Sequence, residues 1–498
     1  MHQHVKTDRS RTGRGKAASL VRSAGWGLLN LLVVASTLLL ADTESPLFHD
    51  HTISYDSDIF ALAGRIWADG GLPYVDYWDH KGPLIFLANA VGYVLTGSTV
   101  GVLIVDAILI TVTMLFLWLV IDELAERTLH IAVRVLILWT LLPWLSELLI
   151  PSWNMCETVC LPFLAAALWL AVCDMKAIGD GRTDRIAPAT ALAQGIACGA
   201  SLMTRATNAI GVCVLTLTMV IWLVANRRWA NLAHCALAFI GGMLLLYAPF
   251  AIYFAARGAF DDFMYGTLIY NLGHISNAPT RLVTSGKIYD MALILGVPML
   301  MILVPLLRIL RRQRDLLTLS MMAAGITLTV FFAVSEPYKH YVVIAVPFLP
   351  VLMVWCCELV RRPIVYTTVL TLVFGLLSAY AVIEHRHLMG WPTYDNPAVE
   401  RVVRESHGSV AFYGLPAVVY ERYDVTPAYP LANLQDWQAL FSDGYKAWLR
   451  DMYATPRTEY LIVNPTAALD EPVIQPELDA HYDLVETTED GLDIYRAR

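Results

Sequence analysis

Charge is what this sequence has least of: Asp, Glu, Lys and Arg make up 16% of 498 residues, against 57% hydrophobic residues. A soluble globular chain carries about 25% charged residues, and with a mean hydropathy of +0.54 this chain is too apolar to fold in water alone. Patterned cysteine is missing as well. The eight cysteines (Cys156, Cys160, Cys173, Cys198, Cys213, Cys235, Cys356 and Cys357) include no C-x-x-C pair and lie in or beside apolar runs, so neither a zinc site nor a disulfide framework is indicated. No N-x-S/T sequon with x other than Pro occurs, in keeping with a bacterial chain, and no repeat of fixed period is present.

What is there instead is a series of eleven uncharged runs, each near the ~20 residues a helix needs to cross ~30 Å of hydrocarbon. The first runs from Ser23 to Ala41, and the second from Ser98 to Ile121 with one interruption at Asp106. The others lie at Ile131 to Ile150, Thr158 to Cys173, Ile186 to Thr204, Ala206 to Asn226, Trp229 to Ala256, Met291 to Leu307, Leu316 to Ser335, Val342 to Cys357 and Pro363 to Ile383. Loops kept in the cytoplasm are enriched in Lys and Arg. Nineteen such residues fall in the N-terminal tail and alternate loops, and seven in the opposite loops up to the last run. The N-terminus is therefore expected inside and the C-terminus outside. The first run is expected to be a retained signal anchor, since it is long for a signal peptide and no A-x-A site follows Leu40.

From Glu384 onward the balance shifts to nineteen acidic and nine basic side chains. Short β-like runs (Val410 to Tyr413, Tyr460 to Val463, Tyr482 to Val485 and Leu492 to Tyr495) alternate with a helical stretch at Gln435 to Tyr453, the pattern of a small α/β module. The expected organisation is a basic cytoplasmic tail (1–22), a transmembrane domain (23–383) and an acidic extracytoplasmic module (384–498). That negative charge makes the module a poor ligand for nucleic acid or anionic headgroups.

Ionisable residues are costly in lipid, and here they collect at the outer ends of the runs and in the first outer loop, Asp42 to Gly82. Asp56 and Asp58 in SYDSDIF stand just before Ile59, Leu62, Ala63, Ile66 and Trp67, whose spacing predicts an amphipathic helix lying in the interface. Gly70, Gly71 and Pro73 end it. The segment DYWDHKGPL follows, and Pro83 to Gly97 is apolar but too close to the next run to cross separately, so it reads as a second interfacial helix.

The order DSDIFALAGRIWADGGLPYVDYWDHKGPL resembles the first outer loop of the C-superfamily (GT-C) glycosyltransferases that use polyprenyl-phosphate sugars. These are the relatives of protein O-mannosyltransferase and lipid A aminoarabinose transferase, and the resemblance is closest to the bacterial branch with a rhizobial lipopolysaccharide glycosyltransferase-like domain. It covers Asp56 to Leu84 and implies an all-α polytopic membrane protein followed by an extracytoplasmic domain. It also implies Asp56 as the catalytic carboxylate and Lys81 as a contact to the donor's phosphate. Where some members have an acidic residue directly before that Lys, this chain has His80 preceded by Asp79. Weaker echoes are Asn154 and Glu157 in SWNMCET, Arg205 in LMTRATN, and Lys339, His340 and Tyr341 in EPYKHYVV.

Transfer from a polyprenyl-phosphate sugar needs a base beside the acceptor oxygen and positive charge beside the departing phosphate. Asp56 suits the first task, with Asp58 able to exchange roles and Glu157 as a further acid. Lys81, Arg205 and Lys339 suit the second. Asp79, His80, Asn154, His340 and Tyr341 are the candidate substrate contacts, and direct displacement implies inversion at the anomeric carbon. No cofactor is required by this chemistry, and a divalent metal is compatible with it. The partners it implies are the lipid-linked donor, a glycan, lipid or protein acceptor of the cell envelope, and membrane lipid, in a bacterial cytoplasmic membrane. Each residue also has a structural reading: a helix cap for Asp56, a snorkelling lysine for Lys81, a helix clamp for Arg205, a hydrogen-bonded partner for Asp106. Tyr74, Tyr77, Trp78 and Trp153 read as an interfacial aromatic belt or as platforms for sugar rings. The alternative function is a transporter or flippase of lipid-linked sugars, which would carry interrupted helices with polar groups at mid-membrane.

Overall fold

A computed structural model describes residues 29, 32–34, 37, 55–125, 128–145, 154–272, 288–335, 338–387, 395–440, 443–465 and 471–498. Most of the expected signal anchor, Trp153, and the side chain of Lys339 lie outside the described residues.

The other ten apolar runs form helices where the hydropathy places them. Two helices of the first loop, α1 (Tyr55–Ala68) and α2 (Pro83–Thr96), lead into α3 (Thr99–Ala125), α4 (Ile131–Leu145), α5 (Cys156–Gly179) and α6 (Pro188–Leu202). Next come α7 (Ile210–Ala225), α8 (Trp229–Ala256), α9 (Ile288–Leu310), α10 (Leu316–Val334), α11 (Leu349–Leu359) and α12 (Pro363–His387). Among the described residues seven helical segments are long and apolar enough to span a bilayer, and the chain is a multi-pass membrane protein. Lipid offers no hydrophobic force between helices, so close backbone approach has to hold them together. Helices α6 and α8 approach in this way: a Cβ on Gly195 would lie 2.0 Å from the Phe239 carbonyl oxygen, and one on Gly242 would lie 2.3 Å from that of Leu192.

One run departs from a plain helix. Its N-terminal part, Lys339–Phe348, is a 3-10 helix that passes into α11. This tighter winding is seldom sustained for ten residues, and it sets His340 and Tyr341 at the entrance to a buried segment.

The two loop helices differ from each other. Helix α2 buries Pro83, Ile85, Phe86 and Asn89 and exposes Leu87, Val91, Val94 and Leu95, an i, i+4, i+7, i+8 stripe suited to the lipid interface. Helix α1 does not lie open in the interface as its spacing predicted. Ile59, Phe60, Ala61, Leu62 and Ala63 are all buried: α2 covers one side, where Phe60 meets Phe86, and the core shared with the C-terminal module takes in Ile59 and Leu62.

That module begins with α13 (Pro397–Glu405) and contains a four-stranded sheet of order β1-β2-β4-β3. Strands β1 (Val410–Tyr413) and β2 (Tyr460–Val463) run parallel, while β4 (Asp493–Ala497) is antiparallel to both β2 and β3 (Tyr482–Thr487). The expected helical stretch is two pieces, Gln435–Ala439 and α14 (Asp443–Tyr453). The core is rich in tyrosine: Tyr413, Tyr420, Tyr429, Tyr453 and Tyr482 are all almost fully buried. This core is continuous with Ile59, Leu62, Tyr77, Trp78 and Phe86 of the segment from α1 to α2. The module and the loop therefore share one hydrophobic core.

Candidate active site

The motif HKGPL owes its shape to a backbone contact. The Gly82 N–H donates to the Thr204 carbonyl at 2.8 Å, and the Leu84 N–H donates to the Met203 carbonyl at 2.8 Å. A Cβ at position 82 would lie 2.1 Å from the Met203 carbonyl carbon, so only glycine permits this approach. Pro83 follows at the first turn of α2, where its missing N–H costs nothing. The consequence is that Lys81 and Arg205, far apart in the chain, leave adjacent strands of backbone.

Around this seam the described side chains are organised by charge. The Arg205 Nη1 donates to Glu157 Oε1 at 3.1 Å, and its guanidinium lies over the Tyr341 ring, 3.7 Å from the centroid. Burial works against the charge of Arg205, but Tyr341 and Glu157 outweigh it and hold its pKa above the ordinary value. His340, next in the 3-10 helix, lies within electrostatic reach of Glu157, Asp56, Arg205 and Lys81. Four separated segments thus converge on one end of the bundle.

Lys81 is held by its neighbours. Its backbone N–H donates to Asp79 Oδ1 at 2.8 Å, its carbonyl accepts from the Tyr74 hydroxyl at 2.7 Å, and its Nζ lies 2.7 Å from His80 Nε2. An ammonium can only donate, so His80 accepts at Nε2 and carries its own proton on Nδ1, which faces Asp79 Oδ1 at 3.9 Å. The Gln438 amide of the module lies 3.4 Å from that Nδ1. Burial raises the pKa of Asp79, against the charge and N–H of Lys81.

The two carboxylates of α1 face different surroundings. At about 100° per residue, residues two apart point to opposite sides of a helix. Asp56 is half-buried and within electrostatic reach of Asp79 and His340. Asp58 is 4% exposed, its Oδ1 has no hydrogen-bond partner, and Glu421 of the module lies close enough to act on it. Desolvation, then Glu421, then Asp56 push the Asp58 pKa well above the carboxylate range. Asp58 therefore belongs to the seam with the module, where Glu421 accepts a hydrogen bond from the Tyr93 hydroxyl at 3.1 Å. The geometry separates two acids that the sequence left interchangeable.

Asn154 is also turned inward. It sits at φ 57° and exchanges reciprocal amide hydrogen bonds with Asn89 of α2 at 2.9 and 2.8 Å. Its Nδ2 reaches Ser57 Oγ at 3.2 Å, so it pins the start of α1 beside α2. Asp106 is buried within α3. The loop aromatics are neither a belt nor a sugar platform. Tyr74 packs edge-on against Phe86, Phe254 and Phe263, Tyr77 bonds Asn433, and Trp78 meets Tyr270 and Trp448 edge-on. Such pairs add about 0.5–1.5 kcal/mol each beyond burial, and here they fix the loop against α8 and the module.

Among the described residues no group of three or more His, Cys, Asp and Glu is arranged to hold a metal ion. His80 is committed to Lys81, so the described side chains of the site form no preformed cage for a divalent cation. Gly82, Asn89 and Gln438 are the contributors that sequence reasoning missed. Only Gly82 carried a signal, as the one residue of HKGPL with no chemistry of its own.

Among solved structures the chain is similar to ArnT from Cupriavidus metallidurans bound to undecaprenyl phosphate (TM-score 0.57, 14% identity, covering 95% of this chain and 98% of that one). It is also similar to the apo oligosaccharyltransferase of Archaeoglobus fulgidus (TM-score 0.51, 12% identity, covering 95% and 74%). Both have the GT-C fold, and the likeness gives this chain that fold: a polytopic helical membrane protein with a small C-terminal sheet. No curated protein matches its sequence. The family model described as "Putative competence-induced protein Ccs4 N-terminal domain" matches residues 18–363, and the chain belongs to that family.

Proposed function

We propose that the chain is a membrane glycosyltransferase that takes a sugar from a polyprenyl-phosphate donor and passes it to an acceptor outside the cytoplasm. The observation that carries this reading is the pairing of Gly82 with Thr204, which brings together the backbones that carry Lys81 and Arg205, while His340 lies within electrostatic reach of both cations and of Asp56. Lys81 meets the donor phosphate as a point charge, and Arg205, already braced by Glu157 and Tyr341, presents what remains of its fork. Asp56 accepts the proton of the acceptor hydroxyl as its oxygen attacks the anomeric carbon, and the C–O bond to phosphate breaks on the opposite face. The sugar inverts, and the phosphate leaves against the two cations. The excess of Lys and Arg in the alternate loops favours an N-terminus inside, with this end of the bundle and the module, residues 384–498, outside the cytoplasmic membrane.

The fold similarity to ArnT bound to undecaprenyl phosphate supports a lipid-linked donor. The test is incubation of the purified protein with radiolabelled polyprenyl-phosphate sugars and envelope fractions, followed by analysis of the product's anomeric configuration. Label should enter the acceptor with inversion. Retained configuration, or movement of intact donor across proteoliposomes without transfer, contradicts the proposal.

A further inference from the structure

On the far side of α1 from Asp56 the loop and the module enclose a cavity of about 270 Å³. Its position is distinct from the site above. Arg65, on its wall, is nine residues along the helix from Asp56, about 14 Å and half a turn away.

The walls are rigid. On one side Gly71 N–H donates to the Ile66 carbonyl at 2.9 Å and Asp76 N–H to the Leu72 carbonyl at 2.9 Å, while Asp76 Oδ2 accepts from the Leu72 N–H at 2.7 Å. On the other, Arg457 N–H donates to the Tyr429 hydroxyl at 2.8 Å and its Nη1 to the Ala428 carbonyl at 3.3 Å. The Trp78 N–H donates to the Pro430 carbonyl at 2.9 Å and ties the walls together. A cavity between two hydrogen-bonded surfaces is preformed, and a ligand entering it meets no cost of ordering loops.

Its chemistry is divided by depth. The floor is apolar, formed by the buried side chains of Leu62, Ile66 and Val425. The rim carries Arg65, Asp69, Asp76 and Arg457, two cations against two anions, and Arg65 is further neutralised by Asp424 at 2.7 Å. A phosphate or carboxylate ligand would meet the rim carboxylates, and a cationic ligand would meet the guanidiniums. A ring with apolar C–H faces and a perimeter of hydroxyls fits both levels, since carboxylates accept from hydroxyls and guanidiniums donate to them.

We infer that this cavity is a second carbohydrate site, which holds a neutral saccharide segment of the acceptor away from its reacting end. The inference rests on the glycosyltransferase reading for the word acceptor, but not for the binding itself. The test uses the full chain in detergent micelles, titrated calorimetrically with neutral glucan-, mannan- and galactan-derived trisaccharides, a phosphorylated trisaccharide and an acidic hexapeptide. At least one neutral trisaccharide should bind saturably and more tightly than either anionic probe. Val75→Trp, at an exposed position on the wall, fills the space, and Arg457→Ala strips the rim. Each should weaken that binding about tenfold or more, while Asp56→Asn leaves it unchanged. Absence of saturable neutral binding, preference for an anionic probe, or wild-type affinity in both cavity variants overturns the inference. Because binding is read without transfer, a protein that transfers sugar but binds no trisaccharide counts against this site alone. One that binds but never transfers counts against the proposed reaction.

Discussion

The Gly82 N–H and the Thr204 carbonyl, 2.8 Å apart, join two loops separated by more than a hundred residues, and the candidate phosphate contacts flank that joint. The arrangement puts a steric demand on one atom. Gly82→Ala should displace the loop and cost transfer about 100-fold, as small misplacements of catalytic groups do, with about 1–3 kcal/mol of destabilisation. Initial rates and thermal unfolding of the solubilised protein check both. An alanine variant with unchanged rate would show that the contact is dispensable.

Asp58 and Glu421 give the seam with the module a pH dependence. Both carboxyls have pKa values raised first by burial, so the folded state binds their protons more tightly than the unfolded one. Stability from such groups is present below the unfolded pKa and is lost as pH rises through the folded pKa. Unfolding temperature should therefore fall from the acidic side toward alkaline pH. Asp58→Asn, which cannot ionise, should flatten that fall while keeping transfer activity. A variant with the wild-type pH profile would remove Asp58 as the source.

Gln438 reaches the candidate site from the module through His80, and His80 in turn orients the Lys81 ammonium. Gln438→Ala should raise the donor KM several-fold with a smaller change in kcat, since a weakened phosphate contact is felt in ground-state and transition-state binding alike. Steady-state kinetics at varied donor separates this from a folding defect, which would lower the active fraction and leave KM unchanged.

How much of this was legible in the sequence differs by element. Helices such as Trp229–Ala256 and strands such as Val410–Tyr413 follow their residues directly, because hydropathy and alternation are local properties. Helix α1 was placed correctly along the chain but assigned the wrong surroundings. Its spacing marks an apolar face, while part of the cover over the remaining faces comes from a module more than three hundred residues away. The same distance hid the burial of Tyr77 and Trp78 and the approach of the Gln438 amide to His80. Asp56 and Asp58 looked equivalent for a related reason. What distinguishes them is Glu421 on one side and His340 with Asp79 on the other, and none of these adjoins them in the chain. The end of the module's helical piece Gln435–Ala439 is likewise invisible to a helical spacing that runs on through it.

The most direct test of the account is the initial rate of sugar transfer by Asp56→Asn and Lys81→Ala beside wild type, with each variant shown to be folded by its unfolding temperature. The account predicts that Asp56→Asn loses about 100- to 10,000-fold in rate, the range for a positioned general base, and that Lys81→Ala loses donor binding while Asp58→Asn stays active. A folded Asp56→Asn protein that transfers sugar at the wild-type rate contradicts it.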